Sequence, residues 1–252
     1  MKIALMDSGI GLLAAAAALR ALRPDADLVL SSDPASMPWG PRPAEDITRL
    51  ALGCARAAAA LRPDALVVAC NTASVHALEA MRAELEPGLP VIGTVPAIKP
   101  ASAASRSVAI WATPATTGSP YQRGLIEEFG GGSAVTEVAC PGLADAVERG
   151  DRAAIAAAVA DAAARTPQGT EAIVLGCTHY ELVEAEIRAA VGADIRFFGS
   201  AEAVAAQALR RVAPDTPPGT GRLTVLHAGR ETALPPAALS YPEGLRLASV
   251  AV

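Results

Sequence analysis

Short apolar runs alternate with alanine-rich stretches of helical length along most of the 252-residue chain. The apolar runs have the length of buried strands, and each intervening stretch is long enough for one helix. This alternation is typical of βα units arranged around a mainly parallel sheet. It constrains the fold more strongly than any other feature of the sequence, and it predicts an α/β protein.

The predicted strands are eight apolar runs, at Lys2–Met6, Asp27–Ser31, Ala65–Ala69, Val91–Gly93, Ser107–Ala112, Ala134–Val138, Glu171–Leu175 and Asp194–Phe198. The predicted helices fill the intervals and include Leu12–Leu22, Ala44–Leu61, Ser74–Glu84, Ala153–Ala164, Glu181–Val191 and Ala201–Val212. Several of these helices are rich in alanine, the residue with the highest helix propensity.

Composition and charge exclude several classes of protein. Hydrophobic residues make up 52% of the chain and aromatic residues only 3%, so the core must consist mainly of Ala, Leu and Val. The net charge of −5 offers no basic surface for nucleic acid or an anionic membrane. Because no apolar run reaches the roughly 18 residues of a spanning helix and the N-terminus lacks a signal-peptide pattern, we expect a cytoplasmic protein.

Lysine and cysteine usage narrows the chemistry further. Only two of the 21 basic residues are lysines, and neither lies in a recognisable cofactor motif, so a lysine-bound pyridoxal phosphate is not expected. The four cysteines form no CxxC pair, and we expect free thiols in a reducing compartment rather than a disulfide scaffold. They are Cys54, Cys70, Cys140 and Cys177.

The chain also resembles itself. The segment Leu66–Arg82 parallels Ile173–Arg188, since each contains a buried strand, then Cys with Thr close behind, then an amphipathic helix. The two cysteines are 107 residues apart, and a similar offset aligns the strand from Ile3 with the strand from Val108. Two matches at one spacing predict two related α/β halves, although any two βα units share some similarity.

The domain boundary is expected near residues 95–105. We predict a first domain of residues 1–97, to which the C-terminal tail 213–252 returns, and a second domain of residues 98–212. Each domain would hold a mainly parallel sheet.

Four polar clusters follow predicted strands, at Asp7–Gly9, Cys70–Thr72, Thr113–Ser119 and Cys177–His179. Ligands of open α/β sheets bind beyond the carboxyl ends of the strands, where these clusters lie. If the two halves face each other, the two cysteines converge on one cleft, which is the predicted active site.

A cysteine between a strand and a helix lies near backbone N–H groups and the positive end of the helix dipole, which favour the thiolate. Two thiols across a cleft can remove a proton from one face of a carbon and return one to the other face. This arrangement inverts a stereocentre without a cofactor. Asp7 can accept or orient the proton of Cys70, and His179 can serve Cys177 in the same way.

Other reactive side chains have structural interpretations. Cys54 lies inside a helical stretch and is predicted to be a buried apolar residue, as is Cys140. His76 and His227 are predicted to be surface or packing residues.

Two alternative sites are less well supported. A metal site formed by Cys70, Cys177 and His179 lacks a recurrent ligand spacing, so no metal is predicted. The DSGIG run after the first strand lacks the third glycine and the acidic partner of a dinucleotide-binding loop.

Two motifs, ACNTAS at Ala69–Ser74 and LGCTHYEL at Leu175–Leu182, resemble signatures of the glutamate racemases, members of the cofactor-independent Asp/Glu racemase family. Weaker matches are MPWG at Met37–Gly40, ATPATTGSPYQ at Ala112–Gln122 and CPGLADAVERG at Cys140–Gly150. The resemblance extends from the N-terminus to about residue 212. It implies two α/β domains and interconversion of L- and D-glutamate that supplies D-glutamate for peptidoglycan.

The resemblance also implies roles for individual residues. Cys70 and Cys177 would be the two acid/base groups, one for each enantiomer, with Asp7 assisting Cys70 and with His179 and Glu148 assisting Cys177. The residues expected to hold the substrate are Asp7, Ser8, Trp39, Gly40, Asn71, Thr72, Thr113, Thr116, Thr178 and His179. The resemblance implies a small amino acid as the substrate and no cofactor. Many members of the family are homodimers, so a homodimer is an assembly to test.

Two residues depart from the family pattern. Leu12 stands where a second glycine is usual, and Trp39 stands where tyrosine is usual. The indole lacks the phenolic hydroxyl and can donate but not accept a hydrogen bond, which leaves the exact substrate open. The alternatives to a glutamate racemase are a racemase or epimerase of another amino acid or a hydantoin, a malonate decarboxylase, and a non-catalytic binding protein.

Overall fold

The computed structural model describes residues 1–249, which form ten strands and twelve α-helices. The strands are β1 (Lys2–Asp7), β2 (Asp27–Ser32), β3 (Ala65–Val68), β4 (Val91–Gly93), β5 (Ser107–Ala112), β6 (Ala134–Ala139), β7 (Ala172–Leu175), β8 (Arg196–Phe198), β9 (Leu223–His227) and β10 (Arg230–Thr232). The helices are α1 (Leu13–Leu22), α2 (Ala44–Ala59), α3 (Asn71–His76), α4 (Leu78–Leu85), α5 (Ile98–Ala104), α6 (Pro120–Phe129), α7 (Leu143–Arg149), α8 (Arg152–Arg165), α9 (Thr178–Glu181), α10 (Glu184–Val191), α11 (Ala201–Arg211) and α12 (Pro242–Ala248). Short 3-10 helices span Ile10–Leu12, Pro34–Ser36 and Pro236–Ser240.

The chain divides into two compact units. The first comprises Met1–Val95 together with the chain from Ala201 onward, and the second comprises Pro96–Ser200. The first unit holds a sheet of order β10-β9-β2-β1-β3-β4, and the second a sheet of order β6-β5-β7-β8. All neighbouring strands are parallel except β10, which runs antiparallel to β9.

The predicted internal repeat is confirmed by this strand order. The series β2-β1-β3-β4 in the first unit corresponds strand by strand to β6-β5-β7-β8 in the second. The likeness of the two halves therefore extends beyond single βα units to the order of four strands. In both units, the strand that leads to the cysteine is the third in chain order. It lies between the first and the fourth strands of its sheet.

The predicted second domain was too long at its C-terminal end. Helix α11 packs against α1, β3 and β4, so residues 201–211 belong to the first unit, and the second unit begins at residue 96 rather than 98. The buried side chains of α11 are Ala201, Val204, Ala205 and Ala208. Their spacing predicts one apolar face, but it does not tell which sheet that face covers.

The C-terminal tail packs in the first unit. Strand β9 extends the sheet by pairing with β2, and Leu28 lies opposite Leu223 in that register. Helix α12 packs against α1. Within residues 1–249, no helix is long and apolar enough to cross a membrane.

Two helices start earlier than predicted, directly after the cysteines. The sequence predicted helices from Ser74 and from Glu181, whereas α3 begins at residue 71 and α9 at residue 178. Each predicted helix is also broken once, since Ala77 has φ −125° and ψ −10° between α3 and α4, and Val183 has φ −125° and ψ 25° before α10. Both cysteines thus lie immediately before a short helix.

Candidate active site

The carboxyl end of the first sheet carries Asp7, Ser8 and Cys70. Met6 lies opposite Val68 in the parallel pair β1–β3, so Asp7 and the residues just after β3 end at the same edge. Asp7 is fully buried, and its Oδ1 accepts hydrogen bonds from the backbone N–H of Ser8 at 2.6 Å and from Ser8 Oγ at 3.1 Å. A carboxylate therefore lies on the strand adjacent to the one that leads to Cys70.

Backbone geometry places Cys70 at the start of α3. Cys70 has an extended backbone with φ −147° and ψ 120°, and its carbonyl accepts the N–H of Ser74 at 2.9 Å. The cysteine is 5% exposed, with Asn71 buried and Thr72 half-buried in the first turn of the helix. The positive end of a helix dipole favours a thiolate or a substrate carboxylate at the helix N-terminus.

Trp39 lies in the core beneath this edge. It is 2% exposed and packs in the apolar cluster that includes Ile47 and Cys70. Its Nε1–H donates to Ser36 Oγ at 2.7 Å, so the indole donor is used within the protein. Gly40 follows it and is half-buried.

The second unit builds a chain of three side chains around Cys177. Cys177 precedes α9 with φ −139° and ψ 134°, nearly the same backbone conformation as Cys70. Its Sγ lies 3.9 Å from His179 Nδ1, and His179 Nε2 lies 3.0 Å from Glu148 Oε2. His179 is 3% exposed and the Glu148 side chain 15%. A buried imidazole held by a carboxylate can accept a proton from the thiol and return it.

A threonine-rich loop follows β5, the strand next to β7. Thr113 Oγ1 and Thr116 Oγ1 are 3.1 Å apart, and Thr117 Oγ1 donates to the carbonyl of Thr113 at 3.0 Å. Because Trp111 lies opposite Leu175 in the β5–β7 pair, this loop and Cys177 share one edge of the second sheet. Thr113 and Thr116 therefore lie at the same sheet edge as Thr178, which is buried at the start of α9.

Glu137 is a residue of this edge that sequence reasoning missed. Its Oε1 accepts the backbone N–H of Gly118 at 2.8 Å and so holds the threonine-rich loop. A glutamate inside strand β6 was the available signal, because Glu is depleted in strands.

The two remaining cysteines are core residues, as predicted. Cys54 is 3% exposed and Cys140 is 1% exposed. Burial raises the pKa of each thiol to about 12, and the charges of Asp33 and Asp7 add to the effect at Cys54. Both are therefore poor acids and bases near neutral pH. Among residues 1–249, no group of three or more His, Cys, Asp or Glu side chains could hold a metal ion.

Each unit thus presents a cysteine before a short helix, with a carboxylate or an imidazole close along the same sheet edge. The fold and these two turns define a two-unit α/β protein with one cysteine at the sheet edge of each unit. Comparison with known proteins then identifies the family. The model of the Asp/Glu/Hydantoin racemase family matches residues 12–208.

Similar proteins carry names within that family. Glutamate racemase from Roseiflexus sp. (strain RS-1) is 38% identical over 211 residues, which are 81% of this chain and 76% of that protein. Glutamate racemase from Methylococcus capsulatus is 37% identical over 220 residues, which are 84% and 80%. The structure of Escherichia coli glutamate racemase in complex with L-glutamate and the activator UDP-MurNAc-ala matches with a TM-score of 0.83 at 25% identity, over 97% of this chain and 94% of that one.

The chain belongs to the Asp/Glu/Hydantoin racemase family, as its two cysteine motifs predicted. Members of this family are isomerases, and the sheet order, the repeat and both cysteine-bearing turns agree with that membership.

Proposed function

We propose that this chain interconverts L- and D-glutamate without a cofactor, with Cys70 and Cys177 as the two acid/base groups. The observation that carries the proposal is the equivalent placement of the two cysteines, each between the third strand and a short helix of its unit. The similar proteins named glutamate racemase support glutamate as the substrate.

In the proposed reaction, the thiolate of one cysteine takes the proton from Cα. The electron pair of the broken C–H bond moves toward the neighbouring carboxylate, and Cα becomes planar. The thiol of the other cysteine then donates its proton to the opposite face, and the C–H bond forms again with inverted configuration. The first cysteine ends as a thiol and the second as a thiolate, so the reverse reaction uses them in exchanged roles.

The neighbouring groups prepare each thiol for this exchange. Asp7, buried at the end of β1, would accept or orient the proton of Cys70. His179 would do so for Cys177, and Glu148 would stabilise the imidazolium that forms, since its Oε2 lies 3.0 Å from His179 Nε2. Positioned acid/base groups of this kind each contribute about 10²–10⁴-fold in rate.

The substrate would be held mainly by neutral polar groups, together with Asp7 and His179. Hydroxyl, amide and backbone N–H groups at helix starts suit carboxylates, and they leave the ammonium to carbonyl and hydroxyl oxygens. The residues proposed for this role are Asp7, Ser8, Asn71, Thr72, Thr113, Thr116, Thr178 and His179, with backbone groups of Trp39 and Gly40.

Cysteine variants test the proposal. Cys70→Ala and Cys177→Ala should each abolish racemisation in both directions, because inversion needs a proton donor on each face. Circular dichroism of L- or D-glutamate measures the loss, and Cys54→Ala is the matched control that should keep activity. Full activity in the Cys70→Ala, Cys177→Ala double variant would refute the mechanism, and glutamate binding without isotope exchange at Cα in the unaltered protein would favour a binding protein.

A second candidate is racemisation of another amino acid or a hydantoin. The family description includes hydantoin racemases. Trp39 also stands where the family usually has tyrosine, so an indole replaces a phenol. A panel of D- and L-glutamate, D- and L-aspartate and a 5-substituted hydantoin separates the candidates by loss of optical activity.

The biological setting follows from the proposed reaction. D-Glutamate for peptidoglycan is the product we propose, and rescue of a bacterial D-glutamate auxotroph tests it. Two thiols that must stay reduced favour a cytoplasmic location. A homodimer stays a prediction, and light scattering of the purified chain measures it.

A further inference from the structure

Glu181, four residues after Cys177, fastens the cysteine-bearing turn of the second unit. Its Oε1 accepts two hydrogen bonds from Ser200, one from the backbone N–H at 2.9 Å and one from the hydroxyl at 2.8 Å. Ser200 is 4% exposed and lies two residues beyond β8. We call this pair of bonds the Glu181–Ser200 tie.

The first unit has an equivalent contact at the same distance from its cysteine. Ser74 lies four residues after Cys70, and its Oγ accepts the backbone N–H of Thr94 at 2.9 Å. Thr94 follows β4, the strand that corresponds to β8, and is 1% exposed. In each unit, the helix that starts at the cysteine is therefore bonded to the segment just after the fourth strand.

Both segments lie where the chain leaves its unit. The first segment of the first unit ends at Val95, one residue after Thr94. The second unit ends at Ser200 itself, where the chain passes back to the first. The repeat thus places a side-chain contact between each cysteine-bearing turn and the segment where the chain passes from one unit to the other.

The tie matters because α9 has only four residues. A single turn gains little from helix cooperativity, so its orientation depends on side-chain contacts. Cys177 and His179 lie at its beginning, and Glu181 lies at its end. The bonds of a carboxylate to buried donors are charge-assisted and stronger than neutral ones.

Gly199 leaves room for the carboxylate. A Cβ added at Gly199 would lie 2.6 Å from Glu181 Oε2 and 2.9 Å from its Cδ, closer than real Cβ atoms approach. Any side chain at this position would therefore require the Glu181 carboxylate to move.

We propose that Glu181 is a positioning residue for Cys177. Through the Glu181–Ser200 tie, it fixes the orientation of the turn that carries both Cys177 and His179. The inference rests on the acid/base role proposed above for Cys177. Glu181 does not need to touch the substrate, and a displacement of reacting groups by about 1 Å can lower a rate 100-fold. Its loss should therefore lower kcat and leave KM nearly unchanged.

The first test compares three variants in circular dichroism assays of both enantiomers. Glu181→Ala should lower kcat at least about tenfold with KM within threefold, while Glu181→Gln keeps an acceptor for Ser200 and should retain at least a third of kcat. Glu171→Ala is the matched control, since Glu171 Oε2 also accepts a backbone N–H, from Arg106 at 2.8 Å, but at the opposite end of β7. It should keep kcat.

The second test reaches the tie from the other side. Gly199→Ala should lower kcat as Glu181→Ala does, because the new methyl group displaces the carboxylate. In the Glu181→Ala background the space is free, so Gly199→Ala should add no further loss. Additive losses would show that the two residues act separately and would overturn the inference.

The third test reads the thiol without glutamate. The rate of Cys177 alkylation by iodoacetamide at pH 7, measured by peptide mass spectrometry, should fall at least threefold in Glu181→Ala and stay unchanged in Glu171→Ala. An unaltered protein that does not racemise glutamate would refute the proposed function, yet the alkylation rates would still decide the positioning role. Wild-type kcat and alkylation rate in Glu181→Ala would overturn that role.

Discussion

At the scale of single residues, the second unit places an imidazole, which can exchange a proton with a thiol, next to Cys177. His179 lies between Cys177 and Glu148, with contacts of 3.9 Å and 3.0 Å. The imidazole is almost fully buried, and its contact with the Glu148 carboxylate fixes the orientation of the ring. The first unit has no such chain at the same positions, since Thr72 occupies the place of His179 and a carboxylate, Asp7, is supplied by the neighbouring strand.

Replacement of Glu148 tests this chain. Glu148→Gln should lower kcat about 10- to 100-fold, because the imidazolium loses its counter-charge, while KM stays within threefold. Glu186→Gln is the control, since Glu186 forms an exposed ion pair with Arg152 at 2.7 Å and should leave kcat unaltered. A kcat of Glu148→Gln equal to that of the control would contradict the role of Glu148.

At the scale of elements, the turn between β7 and α9 depends on close packing of backbones. A Cβ at Gly176 would lie 2.8 Å from the carbonyl oxygen of Trp111, which itself accepts the N–H of Gly176 at 2.8 Å. The strand that leads to Cys177 can therefore approach β5 only with glycine at this position.

Gly176→Ala should lower the free energy of unfolding by about 2 kcal/mol, the usual cost of overpacking, and should also lower kcat by displacing Cys177. Gly124→Ala is the matched control, because an added Cβ there meets nothing within 4 Å and alanine favours the interior of α6. It should stabilise the protein by up to about 1 kcal/mol. Urea unfolding measures both, and equal stability of the two variants would count against the packing argument.

The elements also show what the sequence could predict. Every strand predicted from an apolar run is present within about two residues. The signal is clearest for β3 and β7, because burial on both faces of a parallel sheet leaves a continuous hydrophobic run. The early starts of α3 and α9 were missed because the extended backbone of Cys70 and Cys177 leaves no mark in hydrophobic periodicity. The contacts of Glu137, Ser74 and Glu181 join segments far apart in sequence, so no local pattern could indicate them.

At the scale of the whole molecule, the tail completes the first unit rather than forming a separate part. The predicted bounds placed α11 in the second domain, whereas it packs in the first unit, because an amphipathic face alone does not specify its partner. Asp27, the first residue of β2, fastens the tail. Its Oδ1 accepts hydrogen bonds from the N–H and Oγ of Thr220 and from the N–H of Arg222, at 2.8–3.0 Å.

These bonds make stability depend on pH. Burial would raise the pKa of Asp27, but the hydrogen bonds from Thr220 and Arg222 outweigh it and lower the pKa below its usual value of 3.8. A lowered pKa in the folded state stabilises the protein above pH 3.8, and this contribution disappears as pH falls through the folded-state pKa.

Asp27→Asn should therefore lower the free energy of unfolding by about 1 kcal/mol at pH 7, a modest value because the site is partly exposed. The difference from the unaltered protein should shrink as urea unfolding is repeated below pH 4. Asp194→Asn, in an exposed loop, is the control and should change stability by less than about 0.5 kcal/mol. A deficit in Asp27→Asn that persists unchanged in acid would rule out the titration.

The central claim is that two thiols exchange one Cα hydrogen from opposite faces, and early turnover in heavy water tests it most directly. Each enantiomer of glutamate is incubated separately, and the reaction is stopped before about one tenth of the substrate is converted. Deuterium at Cα is then measured separately in the product and in the remaining substrate. Two bases predict a product that is almost fully deuterated and a substrate that stays unlabelled, from either starting enantiomer. A product that retains the original hydrogen, or a substrate that gains deuterium as fast as product forms, would contradict the claim.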